Sequence, residues 1–221
     1  MLNLAKIMDI SQKSVKKKEK RHYVGASSIG AMCPRKVWYS SNGFEGEACS
    51  PELIRIFDTG HLLEKMLCDY IQNNLKDVSL ISGCSEELSL KDKHYDFFQG
   101  HADGLLIYKK DKYILEIKTL SATGFNTLKR KGLFSFSEIY YSQVQSYMGM
   151  SGIKKAILLA INKNNSELYS ETIEFNDDFY FSLQAKALFI YESQEAPARI
   201  SKDGLHIECK KCTFKNQCFK I

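Results

Sequence analysis

The chain has 221 residues, 44% hydrophobic and 26% charged, with a formal net charge of +5 and three prolines. That length buries a substantial core, as one domain or one domain with an appendage. No apolar run approaches a membrane span, and the first twenty residues have too little apolar length for a secretion signal, so the expectation is a soluble cytoplasmic chain without a membrane partner.

Residues 1–24 are polar and rich in lysine, with Lys13, Lys16-Lys17-Lys18, Lys20, Arg21 and His22. They read as a flexible segment with a helical turn near its start; such a run is either a solvated tail or a set of phosphate contacts indifferent to base sequence. Ser27-Ser28 opens a short helix through Cys33-Pro34-Arg35 to Tyr39, with Pro34 suited to a first helical turn. Pro51 begins a helix to about Leu75, whose apolar stripe is Leu53, Ile56, Phe57, Gly60, Leu63, Leu67, Tyr70 and Ile71. Glu64 falls near the middle of that stripe and His61 towards its edge. A carboxylate there needs a partner, either an arginine or a shared metal, and Gly60 allows a close backbone approach.

Val78–Leu90 reads as a strand broken at Gly83, and the runs Phe97–Tyr108 and Tyr113–Leu120 as a hairpin across the polar link Lys109–Lys112. Pairing Tyr108 with Tyr113 sets Leu105 opposite Glu116 and Asp103 opposite Lys118. Alternation puts Ile114, Glu116 and Lys118 on one face. Two acids and a lysine among apolar neighbours are either a cross-strand ion pair or a site for a hard divalent cation such as Mg²⁺ or Mn²⁺. Ser121–Phe134 follows as a loop or short helix holding the basic run Lys129, Arg130 and Lys131. Ser137 and Glu138 start a helix on which Gln143 and Tyr147, four residues apart, share a face. Lys155–Asn162 and Leu168–Phe175 read as strands, and Asn176 caps a last long helix. This order predicts an α/β fold, a mixed central sheet flanked by helices.

Seven cysteines in a cytoplasmic chain argue against a disulfide framework. Cys49, Cys68 and Cys84 are scattered and read as ordinary thiols. Cys209, Cys212 and Cys218 are spaced C-x₂-C-x₅-C, which favours a metal. Zinc and an iron–sulfur cluster each want four ligands, and Cys33 is the best candidate for the fourth.

Four short motifs occur in order: GHLLE at Gly60–Glu64, GHADG at Gly100–Gly104, EIK at Glu116–Lys118 and QVQSY at Gln143–Tyr147. Together they resemble the RecB-like branch of the PD-(D/E)xK nuclease superfamily. With Cys-Pro-Arg before them and C-x₂-C-x₅-C after, the chain looks like iron–sulfur exonucleases of the CRISPR-adaptation type and their phage-encoded relatives. The resemblance spans roughly Ser27 to Cys218 and implies a restriction-endonuclease-like core over residues 25–208, closed by a cysteine segment at 209–221 and Cys33.

It also implies roles. Asp103 and Glu116 would bind Mg²⁺ or Mn²⁺ with Glu64 and the backbone carbonyl of Ile117, while Lys118 orients the attacking water. His61 is the alternative helix ligand, because many relatives carry a histidine where Glu64 stands. Gln143 and Tyr147 would help hold the DNA strand. Arg35, Lys129, Arg130 and Lys131 are candidate DNA contacts. Cys33, Cys209, Cys212 and Cys218 would hold a [4Fe–4S] cluster, with zinc as the alternative. Ala102 stands where the family's name-giving proline would be. The implied activity is metal-dependent exonucleolytic hydrolysis of DNA ends or single strands in recombination, repair or DNA processing, alongside partner proteins of those processes. The competing reading is a metal-stapled DNA-binding module without catalysis, against which the complete acid–acid–lysine set argues.

Overall fold

The computed structural model describes residues 3–13 and 21–220. The run Lys16-Lys17-Lys18 with Lys20 lies outside the described residues, as does the side chain of Cys84. In chain order the elements are α1 (Leu4–Lys13), β1 (Val24–Gly25), α2 (Ala26–Ile29), α3 (Pro34–Ser41), α4 (Pro51–Asn74), β2 (Val78–Lys91), β3 (Phe98–Tyr108) and β4 (Asp111–Leu120). They continue with α5 (Ala122–Phe136), α6 (Glu138–Ser151), β5 (Lys155–Asn162), β6 (Leu168–Glu174), α7 (Asp177–Glu192), α8 (Ile207–Lys210) and α9 (Lys215–Phe219).

Local chemistry sets most of the boundaries. Pro34 and Pro51 occupy first helical turns, where the missing N–H costs nothing. Ser50, Ser121, Ser137 and Asn176 cap α4, α5, α6 and α7 by accepting backbone N–H bonds. Inside α5 the chain breaks at Gly132, with φ 72° and ψ 165°, a conformation that favours glycine.

The strands form one mixed sheet in the order β1-β3-β4-β5-β6, with β2 also paired to β3. β2 runs antiparallel along β3, with register shifts on either side of Gly83. The other edge of β3 is divided, β1 pairing at Phe98–Gln99 and β4 from Gly104 onwards. Between them, residues 100–103 face the point where β4 separates from β3. β4 then pairs in parallel with β5, setting Glu116 beside Leu158 and Lys118 beside Ala160.

A large apolar cluster, including Phe98, Ile114, Leu158, Val144, Tyr147, Met148 and Ile190, joins the sheet to α2, α3, α6 and α7. A smaller one packs Leu67, Cys68 and Ile71 of α4 against Leu106, Leu115, Ile117 and Ile161. Among the described residues no helix is long and apolar enough to cross a membrane.

Three expectations change. The hairpin turn holds two residues rather than four: Tyr108 pairs with Asp111, and Lys109 takes a left-handed φ of 57°. Asp111 and Lys112 belong to the strand, because polar side chains are tolerated at an exposed strand end. Leu105 is therefore opposite Ile114, and the next step beyond Gly104–Leu115 brings Asp103 to Glu116 instead of Lys118. The stripe on α4 also differs. Leu53, Ile56, Phe57 and Tyr70 are exposed, since the C-terminal half of the helix, through Leu67, Cys68 and Ile71, is what packs on the sheet. Nothing makes use of Gly60 for a close approach: among the described residues a Cβ added there meets nothing within 4 Å. Finally, residues 4–13 form a helix anchored by Arg55, which donates to Asp9 at 2.8 Å and Gln12 at 2.7 Å.

Candidate active site

Alternation along β4 buries Leu115 and Ile117 against α4 and turns Glu116 and Lys118 towards α6. Where β3 and β4 part, Asp103 bends across the gap, and its Oδ2 accepts the Ile117 N–H at 2.6 Å. The side chain thereby stands in for a missing ladder bond and fixes the acid beside Glu116.

Glu116 is 1% exposed. Its Oε1 accepts from the Lys118 ammonium, while Oε2 is buried and has no hydrogen-bond partner among the described residues. Burial first, then the Asp103 charge and more weakly that of Glu64, push its carboxyl up to about 8 against the pull of Lys118. Burial pushes Lys118 down, but the carboxylates of Glu116 and Asp103 outweigh it and hold the ammonium above the ordinary lysine value. The result is a pocket with more negative charge than one lysine balances.

α6 completes the enclosure. The Gln143 Oε1 accepts from Lys118 at 3.3 Å, and its Nε2 donates to the Tyr147 hydroxyl at 2.9 Å. The Lys118 ammonium also lies 4.7 Å from the centre of the Tyr140 ring, a cation–π contact. Tyr140, Gln143 and Tyr147 occur at i, i+3 and i+7, one face of the helix. That spacing was visible in the sequence, yet Tyr140 was not singled out. Tyr147 is 1% exposed, so its ring does not reach a bound strand. A Cβ added at Gly100 would lie 2.5 Å from that ring, so the first glycine of GHADG makes room for the tyrosine of QVQSY.

The helix candidates separate. Glu64 is half-buried and its charge acts on Glu116; His61 is exposed and is not among the groups acting on it. The basic candidates divide too. Arg35 is not available to DNA: its guanidinium donates to the carbonyls of Ala196 and Pro197 at 2.9 and 2.8 Å and to the Tyr39 hydroxyl at 3.2 Å. Lys129, Arg130 and Lys131 are exposed on α5, Lys129 paired with Glu167 at 2.7 Å.

At the far side of α3, Cys33, Cys209, Cys212 and Cys218 line one small pocket together with Arg35, Lys36, Arg199 and Lys215. Burial, followed by the other three thiols, pushes Cys209 up; burial also raises Cys212, with Lys36 opposing. The terminal segment is docked by ordinary contacts: Phe214 stacks on Tyr39 at 5.5 Å, and Glu47 N–H bonds the Thr213 carbonyl at 2.7 Å. Among the described residues, however, no three His, Cys, Asp or Glu side chains are close enough to form a metal site, here or at Glu116. At Glu116 the carboxylates are turned to Lys118 and the Ile117 N–H.

A mixed central sheet flanked by helices defines an α/β class with solved members. The protein titled SSO0001 superimposes with a TM-score of 0.51 at 18% identity, over 96% of this chain and 91% of that one. An alkaline exonuclease from Laribacter hongkongensis, LHK-Exo, gives 0.55 at 14% identity over 84% and 90%. Its complex with dAMP gives 0.56 at 15% over 77% and 87%. At these identities the likeness is one of fold. No curated protein matches the chain in sequence. Residues 17–154, more than half of the chain, match the YqaJ-like viral recombinase domain, and the chain belongs to that family.

Proposed function

We propose that the protein is a metal-dependent DNA exonuclease acting in recombination. The observation that carries this is the orphaned, buried Oε2 of Glu116 in a cluster of acids held beside Lys118. The recombinase-domain family and the alkaline exonuclease that shares the fold support it. Carboxylate oxygens of this kind suit a hard divalent cation. Glu64, Asp103 and Glu116, with the Ile117 carbonyl, would hold Mg²⁺ or Mn²⁺. When bound, the ion supplies Lewis acidity at the scissile phosphate and lowers the pKa of a water.

The chain's own residues do the rest. Glu116, Gln143 and Tyr140 hold the Lys118 ammonium in one place, so it meets the attacking water and offsets negative charge that develops on the phosphate without reorganising. Tyr147, packed against Gly100, fixes the amide of Gln143. Lys129, Arg130 and Lys131 contact backbone phosphates, which positions a strand without reading its sequence.

Labelled single- and double-stranded DNA incubated with Mn²⁺ tests the reading. Wild type should release nucleotides from ends, and Glu116→Ala should lower the rate about 10²- to 10³-fold with an unchanged circular dichroism spectrum. Cleavage that survives both Glu116→Ala and Lys118→Ala would refute it.

The four cysteines we read as ligands of a [4Fe–4S] cluster that clamps the C-terminal segment to α3, as in iron–sulfur exonucleases of the RecB-like branch. An all-thiol set lining one pocket supports this. Brown protein absorbing in the visible bears the reading out, whereas colourless protein loaded with zinc refutes iron–sulfur.

A further inference from the structure

Beyond the acids, α5 carries an exposed ring that the chemistry above does not use. Phe134 is 68% exposed. Its edge-on neighbour is Tyr141, with ring centres 5.0 Å apart and planes at 79°. Tyr141 in turn meets Phe179 at 4.9 Å and 70°. Both supporting rings are half-buried, so Phe134 stands on a rigid aromatic base.

The backbone beneath it is fixed as well. Leu133, after the break at Gly132, donates its N–H to both oxygens of Glu171, at 2.9 and 3.2 Å, and the Tyr169 hydroxyl donates to the same carboxylate at 3.1 Å. Apart from its edge contact with Tyr141, a ring so exposed at a pinned kink gains little from the fold itself.

Its surroundings indicate what it meets. Lys129, Arg130 and Lys131 lie exposed in the turn just before it. Among the described residues Lys129 is the one of the three held in an ion pair. Two other exposed rings have the opposite setting: Phe181, 72% exposed, follows Asp177 and Asp178, and Phe44, 42% exposed, adjoins Glu45 and Glu47. The exposed Tyr108 also has a lysine over it, Lys109 at 5.3 Å, but at the hairpin turn, away from Lys118. The site is close, because Phe136, two residues on, is 6.3 Å from the Tyr140 ring that borders Lys118.

We infer that Phe134, backed by Tyr141, is a stacking platform for an unpaired base of the DNA strand, with Arg130 and Lys131 on the adjoining phosphates. A planar face beside cations is the arrangement that holds single strands irrespective of sequence. The inference rests on the proposed nuclease reading for the path of the strand past Lys118, and it adds a base subsite a short distance along that path.

The test uses the full chain in metal-free buffer and single-stranded oligonucleotides carrying 2-aminopurine at successive positions. Fluorescence at one position should fall on binding. Phe134→Ala should abolish that quench and weaken binding about tenfold, while Phe134→Trp keeps both. An abasic site at the quenched position should weaken wild type by the same factor and leave Phe134→Ala no weaker. A quench that survives Phe134→Ala, or losses that simply multiply, overturns the platform, as does a Phe134 that contacts a protein partner and leaves every 2-aminopurine bright. Cleavage of the same oligonucleotides with Mn²⁺ separates the two readings: quench without cleavage upholds the platform and refutes the nuclease, and cleavage without quench does the reverse.

Discussion

The acid cluster and the cysteine pocket are both sets of titratable side chains built around one buried member, Glu116 and Cys209, but they are held differently. Glu116 and Lys118 are two residues apart on one strand, Asp103 is locked to them by the Ile117 N–H, and α6 closes over all three. The distances among Asp103, Glu116 and Lys118 follow from sheet register, and that to Gln143 from the packing of α6 on the sheet. The cysteines come from opposite ends of the sequence and meet because aromatic packing and Arg35 dock residues 196–218 onto α3. The first site stores electrostatic tension in a frame that stands without it. In the second, the thiols line the seam between the docked segment and α3, and the proposed cluster would help to hold that frame.

This difference makes opposite predictions for two substitutions. Lys118→Met should cut the cleavage rate by about 10²- to 10³-fold and change the melting temperature little at pH 6, where Glu116 takes up a proton, but lower it at high pH, where the carboxylate is left without its ammonium. Cys209→Ser should lower the melting temperature and the content of bound metal while the rate at low temperature is largely kept. Parallel kinetics, melts and metal analysis of both variants check this, and matching losses in the two would erase the contrast.

Gly100→Ala probes the frame of the first site. The added methyl meets the Tyr147 ring and Ala26, so overpacking should cost about 1–3 kcal/mol. In a chain of this size that is a fall of roughly 2–4 °C per kcal/mol in melting temperature. Activity should fall further than stability alone explains, because Tyr147 holds Gln143.

The acid cluster also leaves a signature in pH. The folded-state pKa of Glu116 is raised from 4.5 to about 8. The stability this group contributes is therefore complete below about pH 4.5 and is lost as pH rises through about 8. Metal-free protein should melt lower at pH 9 than at pH 6, Glu116→Gln should flatten that slope, and Mn²⁺ should restore the wild type at high pH. Thermal melts across the range decide it.

The smallest effect is expected from Lys129→Ala, which breaks a solvent-screened exposed pair with Glu167 and should leave the melting temperature essentially unchanged. Arg35→Ala, by contrast, should loosen the terminal segment without weakening DNA binding, measurable by limited proteolysis and by titration with DNA.

Most of the architecture was legible along the chain because it rests on local rules. The helix start at Ser137, the cap at Asn176, prolines in first turns, and apolar runs in β5 mark their elements without reference to anything distant. Glu116 and Lys118 could be placed on one face from alternation alone. The partner of Asp103 could not, because a turn of two residues instead of four moves every cross-strand pair and depends on Lys109 adopting a left-handed backbone. Nor could the exposure of Leu53, Ile56 and Phe57, since periodicity defines a helix face but not how far the sheet beneath it extends.

Arg35 and Tyr147 teach the same lesson from opposite sides. As residue types, a cation and a phenol both fit a DNA contact. The fold commits Arg35 to the carbonyls of Ala196 and Pro197, and buries Tyr147 where Gly100 leaves room. What the sequence by itself determined was which chemistry is present and on which strand or helix it rides, because those follow from residue type and period. Tertiary structure alone decided which of those groups are held together, which are left facing water and which charge remains uncompensated, because those depend on register and on side chains far apart in the chain.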